Sequence, residues 1–349
     1  MNTRPISQSS ATPATIQELA TPALIFDADA LERNIATMSA IRPGSRLRPH
    51  VKATKCTTLA RRQVAAGHHH FTCATVREMI GMADAGLGTD LLLANEVLDA
   101  TKLARLANAQ DRAMITVAID SDDTLRAAAD AGIHNVLIDV NVGLPRCGCA
   151  PDMAGALADR ARHQGLTVRG VMGYEGHLMM VTDRVEQRRR VEEAMSILRG
   201  AAHNVGGDVI SGGGTGSYDL HETTGVTEVQ AGSYSLMDSQ YTTLGLPFEQ
   251  AMWILGTVIS RTQQWSVINV GLKSLSMDHG NPSIADHSVW FCSDEHLTIA
   301  ASDGPQFALG TPVRVAPAHI DPTIAMHDVA WIVRGDAIVD RWEIDLRGW

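Results

Sequence analysis

The sequence predicts an α/β protein: a parallel (β/α)8 barrel with a second, smaller, mostly antiparallel β domain. Three observations predict it. Eight short apolar or β-branched runs can be read between Leu47 and Ala231. Ala-rich, charge-spaced helical stretches fill nearly every gap around them, as in a βα-repeated fold. From Pro247 onward short β-type runs alternate with turn residues instead. The expected division is 28–246 for the barrel, with 1–27 and 247–349 forming the β domain.

In chain order, the barrel strands are expected at Leu47–Val51, His70–Ala74, Asp90–Ala94, Met114–Ile119, Asn135–Val140, Val168–Gly173, Asp208–Ser211 and Thr227–Ala231. Helices are expected at Ala30–Ile41, Thr57–Ala66, Thr75–Ala85, Glu96–Asn108, Ser121–Ala131, Ala150–His163 and Asp183–Val205. Their starts carry side chains that can accept from free backbone N–H groups: Asp27 or Asp29, Thr75, Asn95, Asp120 or Ser121, and Thr182 or Asp183. Between the seventh and eighth strands no clear helix is visible. The β domain is expected to use Thr257–Ser260, Trp265–Asn269, Ser288–Cys292, Leu297–Ile299, Pro312–Pro317, Val329–Val333 and Ile338–Ile344, joined by Ala23–Phe26.

Composition narrows the function. The 349 residues carry 39 acidic and 29 basic side chains, a formal charge of −10, with 4% aromatics. That balance opposes a nucleic-acid binder, which needs a basic footprint and stacking rings. No apolar run is long enough to span a bilayer. The first twenty residues lack a secretory pattern and read as a partly mobile leader. Five cysteines, an odd and sparse set, read as reduced thiols of a cytoplasmic protein. Cys147 and Cys149 have no second pair to complete a metal site and read as packing.

Chemistry in a βα barrel sits in the loops after the strands, with phosphate usually after strands seven and eight. The first strand ends in Arg48-Pro49-His50-Val51-Lys52. Alternation places Arg48, His50 and Lys52 on one basic face, directed at the barrel mouth. Lys52 there is either paired or used as a nucleophile toward a carbonyl, its pKa lowered by desolvation and neighbouring cations. The seventh strand ends in Ser211-Gly212-Gly213-Gly214-Thr215-Gly216, the eighth in Gln230-Ala231-Gly232-Ser233-Tyr234. Each loop alone reads as a tight turn. Together, at these two positions, they suggest a cup for phosphate, although no P-loop or complete dinucleotide fingerprint occurs. A phosphate cup opposite a carbonyl-reactive lysine suggests pyridoxal phosphate.

Tyr174 and His177, in Gly173-Tyr174-Glu175-Gly176-His177, offer a ring contact and a proton carrier, or a structural pair. Arg146 is a solvated loop cation or a donor to the cofactor's pyridine nitrogen. His319 and Asp321 could hold a divalent metal with waters, with Asp278-His279 and Asp294-Glu295-His296 as other candidates; two ligands are few, and each more readily reads as a polar loop of the β domain. His68-His69-His70 reads as the exposed entry to the second strand.

Taken together, these motifs, with Asp278-His279-Gly280, Ser293-Asp294-Glu295-His296 and His319-Ile320-Asp321-Pro322-Thr323, resemble the D-threonine aldolase and D-serine dehydratase family of alanine racemase-like fold. The resemblance runs from Thr21 to Gly348. It implies Lys52 as the lysine that binds pyridoxal 5'-phosphate covalently. It implies phosphate binding by Gly214, Thr215, Gly216, Ser233 and Tyr234, aided by Gln230 and Gly232. His319 and Asp321 become ligands of a divalent metal (Mn, Mg, Co or Zn), and Asp321, where eukaryotic dehydratases have Cys, resembles the bacterial aldolases. Family members commonly carry His where this chain has Thr54. The implied activity is retro-aldol cleavage of D-threonine- or 3-hydroxy-D-aspartate-type substrates to glycine and an aldehyde or glyoxylate. His177 and His50 are the acid–base candidates, and Arg146 or Tyr174 sets the ring. The rival is β-elimination of D-serine or 3-hydroxyaspartate. The expected enzyme is a cytoplasmic homodimer with no nucleic-acid or membrane partner.

Overall fold

The structure, a computed structural model, describes residues 13–301, 303–304 and 306–349. Among these residues the strands are β1 (Ala23–Asp27), β2 (His70–Cys73), β3 (Asp90–Leu93), β4 (Ile115–Ile119), β5 (Asn135–Asp139), β6 (Thr167–Met172), β7 (Val209–Gly212), β8 (Glu228–Val229), β9 (Met252–Arg261), β10 (Trp265–Ile268), β11 (Val289–Cys292), β12 (Leu297–Ala300), β13 (Pro312–Val315), β14 (Val329–Arg334) and β15 (Ala337–Glu343). The helices are α1 (Ala28–Ile41), α2 (Thr57–Ala65), α3 (Val76–Asp84), α4 (Ala100–Ala109), α5 (Asp122–Asp130), α6 (Ala154–His163), α7 (Arg184–Val205), α8 (Ser239–Thr242) and α9 (Ile320–Ile324).

Strands β2 to β8 form one parallel sheet in sequence order. Its two edges are joined by residues 47–50, the expected first strand, which pair as bridges rather than as a continuous strand. Leu47 faces Val229 and His50 faces Thr72, both parallel. Arg48 N–H donates to the Val229 carbonyl at 2.9 Å, His50 N–H to Ala231 at 3.1 Å, and Thr72 N–H to Pro49 at 2.9 Å. The barrel therefore closes through a segment that is short of regular strand. Pro49 has no N–H to give, and at Val51 the chain turns into a 3-10 turn, Val51–Ala53.

The helices follow the expected order. In α1, Asp27 accepts from the Ala30 N–H, and Leu31, Ile35 and Met38 bury one face. Thr75 and Glu78 close a capping box on α3. Two helices start later than the sequence suggests. Asp99, not Asn95, caps α4 by accepting from Thr101 and Lys102 N–H, which leaves Asn95 and Glu96 in the loop. Cys149 bridges back to Val140, so α6 begins at Ala154 and the preceding loop stays at the mouth. Between β7 and β8 lies just a 3-10 turn, Tyr218–Leu220.

The second sheet runs β11-β12-β10-β9-β1-β14-β15, with β13 paired to β9. It is antiparallel except where β1 runs parallel to β14. β1 thus joins the C-terminal strands, as expected from Ala23–Phe26. Buried Asn34 of α1 ties the end of the barrel to this sheet: its Nδ2 donates to the Ser235 and Glu249 carbonyls, and its Oδ1 accepts from Glu249 N–H. One large apolar cluster packs the outer faces of the barrel strands against the helix layer, a second joins α1, Leu47 and Tyr234 to β9 and β14, and a small one of Leu92, Ala118, Leu137 and Met172 lies inside the barrel.

Some expectations change. Residues 13–20, part of the expected mobile leader, pack down: Ile16 and Leu19 are buried and Ile16 N–H donates to the Asp336 carbonyl; residues 1–12 lie outside the described ones. His68 is fully buried, bonded to Ser39 Oγ and the Gly44 carbonyl, rather than exposed. All five cysteines are free thiols. No helix among the described residues is long and apolar enough to cross a membrane.

Candidate active site

Arg48 shows how the barrel interior is made rigid beneath the site. Its guanidinium is buried in the lumen, Nε 2.7 Å from Glu228 and Nη2 3.0 Å from Asp90, which also pairs with Arg169 at 2.7 Å. Arg48 therefore does not reach the mouth. The two guanidinium groups outweigh burial and hold the Asp90 carboxyl down at about 2.

Above this network the strand ends open on a cavity of about 330 Å³. His50, Lys52, Arg146, Tyr174, Gly214, Thr215, Gln230, Gly232 and Ser233 border it, as the sequence suggests. Gly216, Tyr234, His177, His319 and Asp321 do not. Tyr234 is buried in the core with its hydroxyl 3.0 Å from Gln63 Nε2, and contributes a backbone N–H that Thr215 Oγ1 accepts at 3.1 Å. His177 is exposed on its 3-10 turn, its ring where a Gly143 side chain would lie 3.2 Å away. The expected proton carrier is thus displaced from the cavity by the turn that follows β6.

The two glycine-rich loops close tightly. A Cβ on Gly216 would lie 2.2 Å from the Met179 carbonyl, and one on Gly232 would lie 2.5 Å from that of His50. Small residues let the loops meet and bring the hydroxyl side chains of Thr215 and Ser233 to the cavity. Buried Glu175 braces this floor: it accepts from Gly213 N–H at 3.1 Å, Ser217 Oγ at 2.7 Å and His221 Nε2 at 3.0 Å. Despite burial, these donors hold its carboxyl below the usual range. A narrow polar cup in the same cavity as a lysine fits a phosphate-bearing aldehyde such as pyridoxal phosphate.

Lys52 is not flanked by cations alone. Its Nζ forms an ion pair with Asp321 Oδ2, from α9. Burial works to lower the ammonium pKa, but Asp321, Tyr174 and Glu78 overcome it and the net shift is upward, as in the paired one of the two readings of this lysine. His50 lies beside it and accepts the Lys52 N–H on Nδ1 at 3.4 Å. Burial, then the Lys52 charge, takes the His50 pKa well below its ordinary value. Thr54, where the family commonly has His, is buried and donates to the Val51 carbonyl.

Asp321 Oδ1 is buried without a hydrogen-bond partner among the described residues. An unpaired buried carboxylate oxygen costs about 1–3 kcal/mol, which a cation would relieve. Nearby, His319 Nδ1 lies 2.6 Å from Asp278 Oδ2, and ligand atoms of Asp278, His279 and His319 all fall within 4.8 Å of one another. The Asp321 carboxylate and the His319 imidazole are donors of the kind that Mn²⁺, Mg²⁺, Co²⁺ or Zn²⁺ takes, with Asp278 and His279 packed around His319. The other candidate, Asp294-Glu295-His296, is exposed, with Lys273 2.7 Å from Glu295.

The sequence missed several cavity residues. Glu96 was hidden inside an expected helix, and Tyr241 comes from the short helix α8. Asp139 ends β5, a position that reads as chemical in a barrel and could have been found. Arg146 stands over the Tyr174 ring at 5.5 Å and completes that wall.

Comparison with known proteins places the fold and the family. Residues 26–240 match the family model of the alanine racemase N-terminal domain, and residues 251–333 that of a putative serine dehydratase domain. The chain is 35% identical to a D-threonine aldolase of Arthrobacter sp, over 94% of this chain and 93% of that protein. It is 31% identical to a 3-hydroxy-D-aspartate aldolase of Paracoccus denitrificans (strain Pd 1222), over 95% and 93%. It superposes on the crystal structure of a D-threonine aldolase from Filomicrobium marinum with a TM-score of 0.91 and 33% identity, covering 97% of this chain and 99% of that one.

Proposed function

This chain belongs to the D-threonine aldolase and D-serine dehydratase family of alanine racemase-like fold, and from that premise we propose that it is a lyase dependent on pyridoxal phosphate and a divalent metal. Its reaction is retro-aldol cleavage of D-β-hydroxy-α-amino acids. D-Threonine gives glycine and an aldehyde, and 3-hydroxy-D-aspartate gives glycine and glyoxylate.

The observation that carries this reading is the contact of the cavity-lining Lys52 with Asp321. It joins a carbonyl-reactive amine at the barrel mouth to a metal-type donor on α9. When bound, pyridoxal phosphate supplies an electron sink and the metal a Lewis acid for the β-hydroxyl. Lys52 is the attachment point. Thr215, Ser233 and the backbone around Gly214 and Gly232 hold the phosphate, with Gln230 alongside. Tyr174 and Arg146 orient the ring, and His319 with Asp321 holds the metal. His50, kept neutral by burial, takes the proton-handling role expected of exposed His177. The working form is a cytoplasmic homodimer, its subunits acting on a free small molecule.

The match to the serine dehydratase domain over 251–333 favours β-elimination as a second reading. Product analysis separates the two. The protein, loaded with pyridoxal phosphate and Mn²⁺, is incubated with D-threonine, D-phenylserine, D-serine and 3-hydroxy-D-aspartate. Glycine with acetaldehyde, benzaldehyde or glyoxylate is the expected outcome. Ammonia with a keto acid, and no glycine, would replace the aldolase reading by the dehydratase one.

A further inference from the structure

Residues 276–279 do not border the cavity, yet they enclose His319 on two sides. We propose that Asp278 is a positioning residue of the metal centre: its carboxylate accepts the Nδ1–H of His319 and leaves Nε2 as the ring's ligand atom. The inference rests on the reading of His319 as a metal ligand.

The hydrogen bond is short, Nδ1 to Asp278 Oδ2 2.6 Å. An ionised carboxylate can only accept, so the proton between them belongs to the imidazole. A neutral ring with its proton on Nδ1 presents a lone pair at Nε2. The carboxylate is itself held: Ser276 Oγ donates to Asp278 Oδ1 at 2.6 Å. Ser276 is tied to α9, because its amide donates to Thr323 Oγ1 at 3.0 Å and the Thr323 hydroxyl donates to the His319 carbonyl at 2.7 Å. The His279 ring stacks flat on His319, centroids 3.9 Å apart and planes 2° from parallel. Tautomer, ring plane and backbone position of His319 are thus each fixed by a separate contact. A carboxylate behind a metal-binding imidazole also raises its basicity as a ligand. Side chains of Asp278 and His319 are 46% and 21% exposed, so a metal ion can reach them from solvent.

The test is a Mn²⁺ titration of the full chain loaded with pyridoxal phosphate, following free Mn²⁺ by its EPR signal. Asp278→Ala is expected to weaken Mn²⁺ binding by roughly 10–100-fold. Asp278→Asn, whose amide oxygen still accepts from Nδ1–H without a charge, should fall between it and the unaltered protein; it serves alone if the alanine variant does not fold. The cofactor absorbance and the metal-free melting temperature should not move. Unchanged Mn²⁺ affinity in Asp278→Ala overturns the proposal. A loss as complete as that of His319→Ala also overturns it, since Asp278 would then be a direct ligand. If His319→Ala binds Mn²⁺ as the unaltered protein does, the metal reading itself fails, and the Asp278 proposal with it.

Discussion

Asp139 carries an acid where a barrel enzyme keeps its chemistry. Burial, then the neighbouring Glu96, pushes its pKa from 3.8 up to about 8. The folded carboxyl therefore holds its proton more tightly than the unfolded one. Its contribution to stability is full below the unfolded value of 3.8 and is lost as pH rises toward 8. Asp139→Asn removes that loss. Its melting temperature relative to the unaltered protein should rise between pH 5 and pH 9 by about 2–4 °C for each kcal/mol relieved; a difference that stays flat with pH would contradict the account. The same scale shows why parts of the site were legible and parts were not. Lys52, the glycine loops and His319 stand out as residue types at expected strand ends. The partner of Lys52 is Asp321, 269 residues away, and no local pattern reveals that this pair raises the ammonium pKa. His177 looked right by type and strand position, but the 3-10 turn Gly176–Leu178 carries it outward.

At the scale of elements, period and capping residues located the barrel helices and strands within a few residues. The errors arose where two signals competed. Asn95 and Asp99 are both capping types, and Asp99 wins by serving two N–H groups, which frees Glu96 for the cavity wall. The first strand has the right alternation but a proline and an early turn, so it survives as bridges. Loop closure gives an element-scale prediction. Gly216→Ala would force a Cβ to within 2.2 Å of the Met179 carbonyl. It should destabilise by about 1–3 kcal/mol and loosen pyridoxal phosphate, read by thermal melting and by cofactor lost on dialysis. Gly200→Ala, at an exposed position of helix α7 with nothing within 4 Å, should stabilise by about 0.5–1 kcal/mol with cofactor retention unchanged. Equal effects from the two would refute the tight-loop account.

Across the whole molecule, the site forms where two sheets meet. The barrel supplies the lysine and the cup; α9, beside the second sheet, supplies Asp321 and follows His319. The change of pattern at Pro247 made both parts readable, but their docking depends on buried contacts such as Asn34 with Ser235 and Glu249, which have no sequence signature. The central claim is that Lys52 carries the cofactor at this junction. Its most direct measurement is borohydride reduction of the protein loaded with pyridoxal phosphate, followed by peptide mass spectrometry. A pyridoxyl group fixed on Lys52 and absent from Lys52→Ala is the predicted result; a group fixed on another lysine, or none at all, would contradict it.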